Sequence, residues 1–280
     1  MELLIEIIQF LFYSGLIVLI SKYILVKTLR DLAENLNLKS KTVGDIAGIA
    51  TSVPELLTIG AASLNGLVGA SIYNVLSSNV INLIQYSGAI LLNNNQKELR
   101  NKAIKIDIIL VIITIILPML FSVIKTEFQL GMIPFLIILY LGFKKINNSV
   151  HKLYLDNEEV NEDENISINN EAKKGNKIGV IKNIVVLIIT GILLFVIGDL
   201  LGNTLDILCR RFNVPELVIG IVLGFVTSIP ELITFFEAQK HHKNAQNDIL
   251  GVIEATNNLL MSNMMNLFVI QSIGILLFSI

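Results

Sequence analysis

The chain has 280 residues, of which 53% are hydrophobic and 16% charged, and its mean hydropathy is +0.71. A composition this oily and this poor in charge excludes an ordinary soluble domain and points to a polytopic membrane protein. The net charge of -2 excludes nothing as a total, and the single cysteine, Cys209, leaves no partner for an internal disulfide.

Crossing the hydrocarbon core takes about 20 mostly apolar residues per helix. Eight segments meet that need, over 4–26, 42–63, 69–92, 106–124, 128–143, 179–202, 214–237 and 249–278. The amino terminus carries Glu2 and Glu6 in place of a basic region, so no cleavable signal is expected. Lys22 in helix one and Asp45 in helix two stand a few residues inside their helix ends. Snorkelling or a neighbouring ion pair accounts for both.

Helix two holds "TSVPELLT", Thr51 to Thr58. Pro54 has no backbone N–H and its ring presses on the carbonyl four residues back, so carbonyls around Ala50 and Thr51 are expected to leave the helical ladder. Such carbonyls are tolerable at membrane depth only where they face a cavity or an ion. Glu55 follows immediately, an acid where lipid tolerates none. Helix three then carries "YNVLSSNVIN", Tyr73 to Asn82, in which Asn74, Ser78 and Asn82 share one face at four-residue spacing.

Between helices five and six runs a polar, charged stretch with the acidic cluster Asp156, Glu158, Glu159, Glu162, Asp163 and Glu164. It reads as a solvated linker, since no glycine-turned loop with regularly spaced calcium ligands is present. Helix seven then repeats the broken motif as "TSIPELIT", Thr227 to Thr234, 176 residues after the first copy. Helix eight repeats the polar stripe as "NNLLMSNMMN", Asn257 to Asn266, so that Asn74, Ser78, Asn79 and Asn82 match Asn258, Ser262, Asn263 and Asn266. Glu254 lies one turn before Asn258 and reads either as a vestibule acid or as a cap of helix eight, while His241 and His242 read as headgroup contacts.

Alternate loops hold very different numbers of Lys and Arg. The loops over 27–41, 93–105, 144–182 and 238–248 carry 17, and the opposite side carries Lys125, Arg210 and Arg211. The positive-inside rule puts the linker in the cytoplasm and both termini outside. An offset of five helices between the copies makes them cross the membrane in opposite directions, the inverted repeat of many secondary transporters, whose site lies at the midplane. Carboxylates, carbonyls, hydroxyls and amide oxygens are the ligands of hard cations.

These segments resemble the paired alpha repeats of the cation/calcium antiporter superfamily, the sodium/calcium exchangers, with their G-T-S-x-P-E and G-N-x-x-G-S-N-x-x-N motifs. The resemblance runs through all eight helices in order. It implies an all-α, inverted-repeat membrane fold: a first repeat over 1–146 with its motif region at 42–92, a linker over 147–178, and a second repeat over 179–280 with its motif region at 214–278. It implies Glu55 and Glu231 as central cation ligands, joined for calcium by the carbonyls of Thr51 and Thr227. Ser52, Ser78, Ser228 and Ser262, with the carbonyls of Gly48 and Gly224, would line flanking sodium sites, and Asn82 and Asn266 would border the middle one, on stripes begun by Asn74 and Asn258.

The family glycines are replaced by Ala50 and Val226 before Thr-Ser, and by Tyr73, Ser77, Asn257 and Met261 in the second motif. This bulk is expected to hinder close helix packing. The family usually has ten or more helices, so the flank left open here would suit a second protomer. From Glu231 to Asn258 there are eight more residues than from Glu55 to Asn74, including "KHHK", which predicts an extension of helix seven or eight. The expected function is exchange of calcium for sodium across a lipid bilayer, with no covalent cofactor and no nucleic acid partner. Exchange of calcium or another cation for protons, or a non-transporting membrane sensor or assembly subunit that keeps the exchanger fold, are the alternatives. No loop pairs a nucleophile with a base, so catalysis is not expected.

Overall fold

The computed structural model describes residues 2–36, 38–123, 130–154, 177–244 and 247–279. Helix α1 (Glu2–Ile20) passes through a π-helical turn at Ser21–Val26 into α2 (Lys27–Asn35). The broken second span is α3 (Ser40–Thr51) and α4 (Val53–Leu64), followed by α5 (Val68–Leu92), α6 (Lys102–Val123) and α7 (Met132–Tyr154). In the second half come α8 (Lys177–Asp206), a π-helical turn at Ile207–Arg211, α9 (Glu216–Thr227) and α10 (Ile229–Asn244). The last span is α11 (Asp248–Met264), a π-helical turn at Met265–Ile270, and α12 (Gln271–Phe278).

Among the described residues, seven helical stretches are long and apolar enough to cross a bilayer. The eighth expected span, α7, is a helix of 23 residues, but its second half carries Lys144, Lys145, His151 and Lys152. It continues to Tyr154 because Asn147 and His151 bury their side chains against α6, so 147–154 is helical where the linker was expected to begin. Residues 155–176 of that linker with its acidic cluster, the predicted end of helix four and the predicted start of helix five lie outside the described residues, while 177–178 open α8. The "KHHK" extension belongs to helix seven: α10 has 16 residues where its counterpart α4 has 12.

The outward faces are apolar, with Phe12 on α1 and Phe195 on α8 each more than half exposed. Buried polar side chains instead crowd α3, α4, α5 and α11. Lipid provides the apolar medium outside, so a polar interior is held by mutual hydrogen bonds. Two apolar clusters brace it: one joins Tyr86, Phe143, Phe235 and Phe268, and the other joins Ile17 with Leu194, Leu201 and Leu205.

The central packing is itself a repeat. Helix α3 crosses α11, and its counterpart α9 crosses α5. At four of the six substituted family glycines the bulk does not force these pairs apart, contrary to expectation, because the helix opposite supplies a glycine there. A Cβ on Gly48 would stand 2.8 Å from the Met261 Cβ, and one on Gly44 2.9 Å from the Asn257 Cβ. In the other half, a Cβ on Gly220 would stand 2.6 Å from the Tyr73 Cβ, and one on Gly224 would collide with the Ser77 hydroxyl.

Candidate functional site

Both motif helices break in the same way. Ser52 (φ -81°, ψ 0°) separates α3 from α4, and Ser228 (φ -79°, ψ 0°) separates α9 from α10. Each proline falls in the first turn of the new helix, where a missing N–H costs nothing, and Glu55 and Glu231 fall in the same first turns, the favourable end of a helix dipole for an acid. The inverted arrangement sets Glu55 against Glu231 and exchanges the threonines: Thr227 lies beside Glu55 and Thr51 beside Glu231.

Every residue expected at the site is buried at the crossing of these four half-helices with α5 and α11. Ser262 donates to Glu231 Oε1 (2.9 Å), accepts from Asn82 Nδ2 (3.4 Å) and meets Ser52 Oγ at 3.1 Å. In the mirrored position Ser78 accepts from Asn266 Nδ2 (3.2 Å), but its own hydroxyl turns to the Val75 carbonyl. The Gly48 carbonyl accepts from the hydroxyls of Ser52 (2.8 Å) and Thr51 (3.3 Å), and the Gly224 carbonyl accepts from the Ser228 N–H (3.2 Å).

Seven buried side-chain oxygens at this site have no hydrogen-bond partner among the described residues. They are both carboxylate oxygens of Glu55, Oε2 of Glu231, the amide oxygens of Asn74, Asn82 and Asn266, and the Ser228 hydroxyl. Buried unpaired polar groups each cost about 1–3 kcal/mol, and charged ones more. Six of the seven can only accept. Chemically, such an array suits a hard cation shed of its water.

The repeat also aligns α5 with α11. Asn79 Nδ2 donates to the Asn263 carbonyl (3.3 Å) and Asn263 Nδ2 to the Asn79 carbonyl (3.2 Å). Asn82 donates to Asn263 Oδ1 (3.2 Å) and Asn266 to Asn79 Oδ1 (3.1 Å). The exchange of bonds obeys the same two-fold relation as the sequence.

A family model described as "Sodium/calcium exchanger protein" matches residues 7–144 and 182–280. The chain belongs to the sodium/calcium exchanger family. Family members are membrane transporters and not enzymes, so this one is a multi-pass cation antiporter of the lipid bilayer, of a family that carries calcium and sodium. Its fold is that of the sodium-calcium exchanger NCX_Mj. The form soaked with 10 mM Na+ and zero Ca2+ has 21% identity and a TM-score of 0.54, covering 98% of this chain and 83% of that one. The form soaked with 100 mM Na+ and 10 mM Sr2+ has 22% identity and a TM-score of 0.53 with the same coverage. No curated protein sequence matches.

Several polar groups of this exchanger-family chain lie where sequence reasoning did not put them. Thr58 and Thr234, the last residues of the two motif copies, hold the stripe asparagines: Asn74 Nδ2 donates to Thr58 Oγ1 (2.7 Å) and Asn258 Nδ2 to Thr234 Oγ1. Their recurrence in both copies was the available signal. Asp107 is buried with His151 Nε2 at 2.7 Å and Asn147 Nδ2 at 2.9 Å, and Asn147 reaches on to Asn257 (3.2 Å). His242 does not face headgroups as expected. It is on the inner side of α10, 3.1 Å from Glu254 Oε2. Glu254 is no cap either, being a turn and a half inside α11. Asp45, by contrast, has the neighbouring ion pairs expected of it, with Lys144 (2.6 Å) and Lys41 (3.4 Å), and Lys22 donates to the Tyr23 hydroxyl (2.9 Å).

Proposed function

We propose that the chain exchanges calcium for sodium, with one dehydrated calcium or two sodium ions held between Glu55 and Glu231 and released to alternate faces. The supporting observation is the set of seven unpartnered buried oxygens centred on those two acids. With both glutamates ionised the site holds a charge of -2, which either load neutralises. The remaining shell would come from Asn82, Asn266, Ser228, Ser52, Ser78 and Ser262, with the backbone carbonyls of Thr51 and Thr227 at the two breaks. Gly48 and Gly224 shape the flanks through their carbonyls, and Asn74 and Asn258 anchor the half-helices to the stripes. The lysine and arginine asymmetry supports an orientation with both termini outside and the linker in the cytoplasm.

The test is calcium uptake into reconstituted vesicles driven by an outward sodium gradient, read together with calcium-induced thermal stabilisation in detergent. Wild type takes up calcium under the sodium gradient, and Glu55→Gln and Glu231→Gln each abolish both uptake and stabilisation. Uptake that follows an imposed pH gradient and ignores sodium assigns proton exchange instead. Uptake and stabilisation that survive both substitutions refute a cation site at these acids.

A further inference from the structure

Beyond the central site, a further carboxylate lies at the outer end of each of the two inverted helix crossings. At one face of the bundle α3 starts and crosses α11. Glu254 of α11 is buried there, with His242 Nε2 3.1 Å from its Oε2 and Ser40 Oγ, at the start of α3, 3.4 Å from the same nitrogen. At the opposite face α9 starts and crosses α5. The 176-residue offset that relates the motifs puts Glu216 where Ser40 stands, and the longer offset of the stripe helices, which pairs Asn258 with Asn74, puts Ala70 where Glu254 stands. Glu216 Oε2 accepts the Ala70 N–H at 3.1 Å. Each crossing therefore has one acid at its mouth, carried by the stripe helix at one face and by the motif helix at the other.

Each acid also borders open space. Glu254 and Thr234 line a cavity with about 10 Å³ open to the centre of a water molecule, close to what one water occupies. Its other walls are apolar, from Val26, Leu29, Val43, Ile46 and Ala47. Thr234 accepts from Asn258, so this cavity ends one hydrogen bond from the central site. Glu216 borders a wider, open depression of about 470 Å³. Arg210 lines it too, but its guanidinium is engaged by Asp206 and by the Asn65 carbonyl at 2.6 Å.

A one-water cavity with apolar walls is a costly place for an ion unless a charge is built into it. We propose that Glu254 and Glu216 are entry carboxylates, one for each face, that meet an arriving calcium or sodium ion before it reaches Glu55 and Glu231. His242 steadies Glu254, as the Ala70 N–H steadies Glu216. The inference rests on the antiport reading above.

The experiment measures half-saturating calcium separately from each face of vesicles with known protein orientation, for wild type, E254Q and E216Q. At the face where α3 starts, E254Q raises it by about tenfold, the low end of what a charge-lined cleft contributes to local ion capture. It leaves the other face unchanged, and E216Q does the reverse. E254D and E216D, which keep the charge, stay close to wild type. A purely structural role, such as capping α5 through Ala70, would lower thermal stability and act on both faces alike. That result, or no effect at either face, overturns the proposal while leaving antiport standing. Wild-type vesicles that move neither calcium nor sodium overturn the antiport reading, and the entry carboxylates with it.

Discussion

Replacing Gly48 by alanine probes whether the α3–α11 crossing is held as closely as the coordinates place it. The added Cβ would lie 2.7 Å from the Asn258 carbonyl oxygen, 2.8 Å from the Met261 Cβ and 3.0 Å from the Ser262 nitrogen. Carbon contacts settle at about 3.5–4.0 Å, and none of these atoms is the far end of a flexible side chain. The helices must separate by several tenths of an ångström. Overpacking of this kind costs about 1–3 kcal/mol, partly offset by the ~1 kcal/mol that alanine gains over glycine within a helix. Gly191→Ala in α8 isolates the second effect, since its Cβ meets nothing within 4 Å. The difference between the two variants is thus the overpacking cost alone. In a chain of this size each kcal/mol moves the melting temperature by roughly 2–4 °C. Thermal unfolding in detergent should place Gly191→Ala at or above wild type and Gly48→Ala roughly 2–12 °C below Gly191→Ala. Because the shift carries Asn258 and Ser262 with it, calcium-induced stabilisation should fall as well. If Gly48→Ala melts together with Gly191→Ala, the close crossing and the glycine-for-bulk exchange across it are wrong.

Asn82→Ala and Asn266→Ala each remove two hydrogen bonds to the opposite half, so each should cost about 1–3 kcal/mol; either variant melting together with wild type would break the two-fold reading. Asp107→Ala strands His151 and Asn147 in a buried setting and should cost about 2–5 kcal/mol, with Asp107→Asn milder; a neutral Asp107→Ala in thermal unfolding would show that the network carries no stability. Asp45→Asn removes partly exposed ion pairs with Lys144 and Lys41 and should cost under about 1 kcal/mol, without changing the face-specific calcium half-saturation; a transport defect would bring Asp45 into the ion path.

The inverted repeat and the residues that the fold gathers at the candidate site were legible because both are written as local patterns. A proline followed by an acid inside an apolar run, and amides at four-residue spacing, carry their physics on a single helix. Pairings between distant helices were not legible. Asp107 stood at the edge of a predicted span and His151 in a predicted loop, and only the packing of α7 on α6 joins them. Glu254 could be a vestibule acid or a cap, and His242 looked like a headgroup contact, because no local pattern shows that α10 continues to Asn244 and turns its inner face to α11. The replaced glycines were misjudged for the same reason. Bulk at Tyr73 or Met261 is legible in the chain, while the space opposite it belongs to Gly220 or Gly48, which no local window includes.

The mutual bonds of Asn79 and Asn263 fasten α5 to α11 at the midpoint of the repeat. They are the middle of a longer polar seam that runs from Ser78 and Asn266 to the Tyr86 hydroxyl, 2.7 Å from that of Thr256. Lipid offers no replacement for bonds of that kind. A seam of such length fixes the register of the two helices, so α5 and α11 form one spine shared by both halves of the protein.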